Sequence, residues 1–268
     1  MMRVLVRGSG DVGSAVAHAL FRRGFNVLMH DTERPAHTRR GMAFADAAFE
    51  HKAELAGILA KRAPDAGYAQ AMLQCGRAIP LALGEFDGVL AQTQPDVLVD
   101  ARMRKRAQPE DQRNLAPLAI GLGPNFAAGA TSHYVVETAW GDALGSVIEA
   151  GAALPLQGEP QPIAGRQRER YVYAPCAGVF CTRLRIGDSV DAGQAIATIG
   201  GNYLHAPLAG RLRGLTHDGA PVERGGKVIE VDPRGEDAQI YGIGVRPGRI
   251  AAGVLEAIAR AQAAPASR

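Results

Sequence analysis

The chain of 268 residues is predicted to be an α/β protein of Rossmann-like type, with a mostly parallel sheet, joined to an all-β barrel-sandwich hybrid. Three observations carry the prediction. A β-branched run, RVLVR, passes straight into a glycine turn that opens a helix; strand-like runs then alternate with helical ones over residues 1–150; and residues 174–232 hold one pattern written twice. Alternation of strand and helix suits a parallel sheet, because parallel neighbours need a crossover between them. A doubled half-unit that cannot bury its apolar face alone must close on its copy.

Residues 3–7 form the first strand, and Gly8-Ser9-Gly10-Asp11-Val12-Gly13 then opens a helix whose apolar face is Val12, Val16, Ala19 and Leu20. This is G-x-G-x-x-G in the context that gives it meaning. The first glycine allows the tight turn, the second lets backbone amides approach a phosphate, and the third permits close helix-to-strand packing. Gly24 ends the helix, Phe25 to His30 makes the second strand, and Asp31 follows 18 residues past Gly13. Dinucleotide folds place there the carboxylate that takes the ribose hydroxyls. Asp11 caps the helix well but repels an anion at its N-terminus, so a bridging cation, a different binding mode or a vestigial site are all open.

Further along, a third strand is expected at Leu55 to Leu59, a helix at Pro64 to Cys75, and strands at Ile79 to Leu83 and Asp96 to Asp100. Ligands of such sheets gather beyond the carboxyl ends of the strands, which singles out three segments. Asp31 to Arg40, with Arg34, Arg39 and Arg40, either grips an anion with guanidinium forks or is a surface loop paired with its own acids. Asp100 and Arg102 set an acid and a base just past a buried strand, where charges need partners. Gly121, Gly123 and Asn125 form a second glycine turn, explained either by anion-binding amides or by turn geometry alone. His133 and Glu137 flank an apolar run without a nucleophile or metal ligand set, so a structural histidine is the simpler reading. His205 and His217 lack a third ligand at metal spacing, and no metal site is expected.

Residues 151–170 carry Pro155, Gly158, Pro160, Pro162 and Gly165 and read as a linker. The barrel-sandwich is expected over residues 171–235. Each half runs Ala-Pro-x-x-Gly, a short apolar strand, a Gly-Asp or Asp-Gly turn, a Val, a second glycine turn and a last strand. The pattern resembles biotinyl and lipoyl carrier domains, which expose a lysine on the hairpin between the halves. Here that hairpin is Gly200-Gly201-Asn202-Tyr203-Leu204-His205, and the C-terminal half holds a single lysine, Lys227, before the last strand. The module is read as carrier-shaped without biotin or lipoate. Residues 236–268 supply a terminal helix, Arg249 to Ala261, with Ile250, Val254, Leu255 and Ile258 on one face. It can return to either domain or pair with its copy in a homo-oligomer.

Composition excludes several classes. A net charge of +3, with no basic run interleaved with aromatics, gives no nucleic-acid footprint. The densest positive run, Arg102 to Arg106, is more simply a solvated loop. No apolar run reaches the ~18 residues that a membrane span needs. The start, MMRVLVRGSGDVG, lacks the layout of a signal peptide, so a cytoplasmic protein is expected. Cys75, Cys176 and Cys181 are odd in number and lack C-x-x-C spacing, which makes buried free thiols the default.

Taken together, VRGSGDVGSAVAHALFRRGF, DTERPAHTRRGMAFADAAFE, DVLVDARM, LAPLAIGLGPNFAAG, VVETAWGDALGSVIEAG, the double Ala-Pro module and GRIAAGVLEAIARA resemble one family. It is the selenium-dependent molybdenum hydroxylase system proteins, the YqeB-like group, related at the N-terminus to xanthine dehydrogenase accessory proteins. The resemblance implies an accessory protein that binds a nucleotide, or the molybdenum cofactor in nucleotide form, and serves a client molybdenum hydroxylase. It implies a cleft lined by Gly8, Gly10, Asp11, Gly13, Asp31, Asp100, Gly121, Gly123 and Asn125. This chain departs from the group at Ser9, where glycine is common, at Val12-Gly13-Ser14, where Leu-Ala-Thr is common, and at Asp31-Thr32-Glu33, where Glu-x-Glu is usual. The competing expectations are an NAD(P)-dependent oxidoreductase, which lacks a clear catalytic constellation here, and a docking scaffold with a relic nucleotide fold.

Overall fold

The structure is a computed structural model that describes residues 1–104, 107–156, 158 and 160–263. The N-terminal half runs β1 (Arg3–Arg7), α1 (Asp11–Arg22), β2 (Asn26–Asp31), α2 (Ala47–Glu50), β3 (Lys52–Leu55), β4 (Ile58–Ala63), α3 (Ala66–Cys75), β5 (Ile79–Leu83), α4 (Phe86–Thr93) and β6 (Val97–Asp100). It continues through β7 (Leu118–Leu122), β8 (Ala127–Ala128), β9 (Tyr134–Val136), β10 (Val147–Ile148) and β11 (Gly151–Ala152). Nine of these strands form one sheet in the order β10-β9-β7-β6-β1-β2-β5-β4-β3, antiparallel only where β3 meets β4 and β9 meets β10. This is a mostly parallel α/β sheet. Its central strands are apolar on both faces, as helix-covered strands must be, and Val4, Leu5, Val6, Leu98 and Val99 are fully buried.

The order reverses at β1, which has β2 on one side and β6 on the other. A crevice opens where successive connections leave a sheet in opposite directions, so the turn after β1 is where a ligand site is favoured. α1 packs on one face through Val12, Val16 and Leu20, while α3 and α4 cover the other against Leu5, Leu28 and Leu98.

One expected strand is a hairpin. The run expected as a single strand from Leu55 to Leu59 is broken by Ala56 and Gly57, whose φ angles of 47° and 79° make the tight turn between β3 and β4. Two positive φ angles in a two-residue loop match the twist of the flanking strands. The helix expected from Pro64 begins at Ala66, because Asp65 caps it by accepting from the Tyr68 amide at 2.8 Å.

The C-terminal half contains β12 (Tyr171–Tyr173), β13 (Gly178–Thr182), β14 (Ser189–Val190), β15 (Ala195–Ile199), β16 (Asn202–His205), β17 (Gly210–Leu215), β18 (Pro221–Val222), β19 (Lys227–Asp232) and α5 (Val245–Ala263). Two antiparallel sheets form, β12-β19-β17-β14 and β16-β15-β13-β18. The first copy of the repeat lends β14 to the sheet of the second copy, and the second copy lends β18 in return. Phe180, Ile199, Leu212, Leu215, Ile229 and Val231 fill the space between them and are fully buried.

Within the segment expected as a linker, β11 pairs with β8, and a 3-10 turn at Arg168–Arg170 buries Arg170. α5 returns to the N-terminal half and lies along α1, with Ile250, Val254, Ala257 and Ile258 in the same core. Gly253 lets α5 also close on the connection between β9 and β10, since a Cβ there would sit 2.1 Å from the Gly145 carbonyl oxygen. The segment around Thr38 to Met42 joins the halves: the Leu215 amide donates to Thr38 O at 2.8 Å and Arg40 Nε to Leu215 O at 2.7 Å. Among the described residues no helix is long and apolar enough to cross a membrane.

Candidate functional site

Steric demands account for two glycines of the first turn. Gly8 has a φ of +114°, and a Cβ at Gly13 would lie 2.0 Å from Gly8 O. Gly10 is different, because its Cβ would meet only the ring of His37, at 3.0 Å. It forms the N-cap of α1 in extended conformation without a side-chain cap, and of the first amides that of Val12 is taken by Asp11 Oδ1 at 3.0 Å. Val12 is spent in the core, and Ser14 Oγ ties the turn together by donating to Ser9 O and accepting from the Phe44 amide.

Asp31 is committed to this turn. One carboxylate oxygen accepts from the Ser9 amide at 2.7 Å, Ser9 Oγ at 2.6 Å and His37 Nε2 at 2.9 Å, and the other accepts from the Thr32 amide at 2.8 Å. Burial pushes its pKa up, but the bonds from His37 and Ser9 outweigh burial and hold it well below the usual range. Burial likewise pushes His37 down, and Asp31 more than reverses it, so the imidazole keeps its proton above the ordinary value. The two shifts define a window. The Asp31 contribution is present above the unfolded carboxylate pKa and lost as pH falls through the folded one; the His37 contribution is complete below the unfolded imidazole pKa and lost as pH rises through its folded one. His37→Ala is therefore expected to lower stability most between about pH 4 and 6.5 and less at pH 9. Urea midpoints of both proteins across that range test it, and a penalty that grows towards pH 9 would contradict the pairing.

Beside the turn lies a charged seam between the two halves. Glu230, on β19 and fully buried, accepts from Arg39 Nε at 3.0 Å, Arg170 at 3.1 Å, Arg213 at 2.9 Å and Lys227 Nζ at 2.9 Å. Arg39 also reaches Asp11 at 3.2 Å, linking the first turn of α1 to β19. Burial pushes Glu230 up, and Lys227, Arg39 and Arg213 together drive it well below the usual range. For Lys227, burial lowers the ammonium, Glu230 supports it and Arg39 opposes it, which leaves its pKa at about 8. Arg246, in the first turn of α5, donates Nε to Thr138 O at 2.7 Å and acts on Asp11 through its charge.

The other expected residues separate into local clusters. Asp100 is buried at the end of β6 and accepts from Arg102 and from Gln112 Nε2 at 2.6 Å. Arg102 also pairs with Glu110, which Arg7 and Arg104 share; Lys105 and Arg106, the rest of the basic run, lie outside the described residues. Gly121 lies under Phe126, whose ring a Cβ would meet at 2.1 Å, and a Cβ at Gly123 would meet Thr138 Oγ1 at 2.6 Å. Packing thus suffices to explain both glycines. Asn125 has a φ of 73° and donates to Ala107 O. A cavity of about 10 Å³ separates Asp100 and Arg104 from Pro124 and Phe126, room for a single water.

His133 Nδ1 accepts from the Ala119 amide, while Glu137 accepts from the amides of Thr138, Ala139 and Leu154, so the two do not form an acid/base pair. His217 stacks on Phe49. The thiols differ from the expectation of burial: Cys75 and Cys181 are exposed, the latter because it alternates with the buried Phe180 on β13. Among the described residues no group of three or more His, Cys, Asp or Glu is placed to hold a metal ion.

Sequence reasoning did not single out Glu230, Arg170, Arg213 or Arg246, and noted Lys227 only as displaced from the carrier position. A glutamate between apolar residues in Lys227-Val228-Ile229-Glu230-Val231-Asp232 was the available signal, since a charge inside a buried strand requires partners.

The fold and site define an α/β protein whose glycine turn faces, across an arginine-rich seam, a unit of two antiparallel sheets. No family model matches the chain. It is 37% identical over 255 residues, 95% of its length, to the uncharacterized protein YqeB of Escherichia coli strain K12, a likeness that supports a YqeB-like family. The chain spans about half the length of that relative, 47%. Among solved structures it is similar, at 14% identity and a TM-score of 0.25, to the product-bound ectoine utilization protein EutE (DoeB) of Ruegeria pomeroyi, over 87% of this chain and 85% of that one. A succinylglutamate desuccinylase/aspartoacylase of Rhodobacter sphaeroides matches at 18% identity and a TM-score of 0.26, over 88% and 86%. Both likenesses are too slight to bear on fold or activity.

Proposed function

We propose that the chain is a cytoplasmic accessory protein that holds the molybdenum cofactor, or its nucleotide form, during maturation of a client molybdenum hydroxylase. In this reading the N-terminal half is a Rossmann-like nucleotide fold. Residues 171–235 are a barrel-sandwich, carrier-shaped but without a carrier lysine, that closes over the ligand. The observation that carries it is the cluster of Arg39, Lys227 and Arg246 around Asp11 at the N-terminus of α1, where Gly10 caps the helix without a side chain. Amide ends of helices favour anions, and cations alongside reinforce them. The commitment of Asp31 to Ser9 and His37 disfavours the oxidoreductase reading, because the carboxylate that would take ribose hydroxyls already has its partners.

Thermal shifts test the reading directly. Molybdopterin or cytidine nucleotides are expected to stabilise the protein, by about 2.7 kcal/mol at a hundredfold excess over Kd. Gly10→Val, which sets a side chain against His37 at the mouth of the turn, is expected to remove the shift. A response to NAD(H) alone would instead indicate an oxidoreductase, and no response to any nucleotide would indicate a docking scaffold.

A further inference from the structure

The seam carries more positive charge than its own carboxylates balance. Arg39, Arg170, Arg213 and Lys227 converge on Glu230, and Arg246 adds a fifth cation; Glu230 and Asp11 face them most closely, with Glu137 acting on Arg246 and Asp232 on Arg213 through their charge. Neighbouring acids are already used. Asp232 is paired with Arg234 and Asp31 with His37, while Glu137, held by three neutral backbone amides, offsets part of Arg246 through its charge, so that five cations still outnumber Glu230, Asp11 and Glu137. Like charges gathered out of water repel strongly, and the arrangement is relieved when an anion enters.

The five cations are not equivalent. Arg39 spends its fork on Glu230 and Asp11; Arg170 spends its own on Glu230 and the carbonyls of Arg166 and Gln161; Arg213 is held by Glu230, Gln239 O and Met42 Sδ. These three are framework. Among the described residues, Lys227 gives one hydrogen bond, to Glu230, with its ammonium 4.5 Å from the centre of the Tyr171 ring, and Arg246 donates only through Nε. Both keep donors in reserve, and both are partly exposed.

We propose that Lys227 and Arg246 bind the phosphate or diphosphate group of an anionic ligand, so that the anion bridges the antiparallel unit and the first turn of α1. The inference deepens the proposed function and rests on it for the identity of the ligand alone. The anion site stands on the charges. Lys227, from the half that resembles a carrier, acts here as an anion contact in place of an attachment point.

Calorimetric titration of the full chain with inorganic pyrophosphate, inorganic phosphate and CDP tests the site. Pyrophosphate is expected to bind, and Lys227→Met and Arg246→Met each to weaken it by about tenfold or more, the scale of a charge-assisted hydrogen bond. Lys227→Arg is expected to keep the affinity. Tighter binding of CDP than of pyrophosphate would mark a phosphate ester as the natural ligand, and equal binding a free diphosphate; both support the site.

A pH series gives a readout that a framework role would not move. The groups facing Lys227 are Glu230, Arg39, Asp11 and Tyr171; Arg170 and Arg213 share Glu230 with it, and Arg246 acts through its charge on the same Asp11. Between pH 7 and 9 wild-type affinity should fall relative to Lys227→Arg, because the lysine loses its proton in that range and the arginine does not. If Lys227→Met fails to fold, this comparison decides the question. Absence of pyrophosphate binding, or binding unchanged in both Met variants with no pH difference from Lys227→Arg, would overturn the site. Nucleotide-induced stabilisation that persists in both Met variants would leave the proposed function standing without it.

Discussion

Glu230→Ala is expected to destabilise the protein by about 3–5 kcal/mol, the largest effect of any single carboxylate in the chain. The carboxylate is fully buried and accepts from four cations, so its removal strips from Arg39, Arg170, Arg213 and Lys227 the one counter-charge that all four share among the described residues. Arg170 is 1% exposed and cannot turn to solvent for compensation. Glu230→Gln is expected to fall nearly as far, because an amide keeps the shape but supplies neither the charge nor two acceptors. Urea unfolding followed by circular dichroism measures both. A loss below about 1 kcal/mol for Glu230→Ala would mean that water reaches these cations well enough to replace the carboxylate.

The second large effect is steric and lies across the seam. Gly13→Ala is expected to cost about 3 kcal/mol, at the upper end of ordinary overpacking, because the added methyl would sit 2.0 Å from Gly8 O and cannot be accommodated without moving α1 off β1. Gly24→Ala is the contrast. Its Cβ meets nothing within 4 Å, and only its φ of +83° opposes the change, so about 1 kcal/mol is expected. Thermal denaturation of the pair separates contact from conformation. Equal losses would show that the backbone at the glycine turn yields more readily than the close approach implies.

The difference between these two glycines was legible in the sequence, and the seam was not. Gly8, Gly10 and Gly13 sit between a β-branched run and an amphipathic helix, and short-range patterns of that kind report local geometry directly. The alternation of Val4, Leu5 and Val6 with the helical spacing of Val12, Val16 and Leu20 gave the α/β class in the same way. Asp31 was placed correctly at a strand end, but its partner His37 lies in an irregular loop whose path no periodicity describes.

Arg39 was read either as a grip on an anion or as part of a loop paired with its own acids. It reaches across 191 residues to Glu230, and a pairing of that separation leaves no trace in a local pattern. The hairpin at Ala56 and Gly57 was missed for a smaller reason, since Leu55, Ile58 and Leu59 read as one apolar run once the turn between them is overlooked.

The docking of α5 on α1 has a consequence for how the chain is made. The core of the N-terminal half closes on Ile250, Val254 and Ile258, more than two hundred residues after Val12 and Val16 leave the ribosome. At a synthesis rate of about 5–20 residues per second, the apolar flank of α1 waits roughly ten to fifty seconds for the helix that covers it. Contacts so distant along the chain also make closure slow once synthesis ends. The nascent chain therefore carries an exposed apolar flank through that interval, and the antiparallel unit, whose strands pair within about sixty residues of one another, is free to fold before that flank is covered.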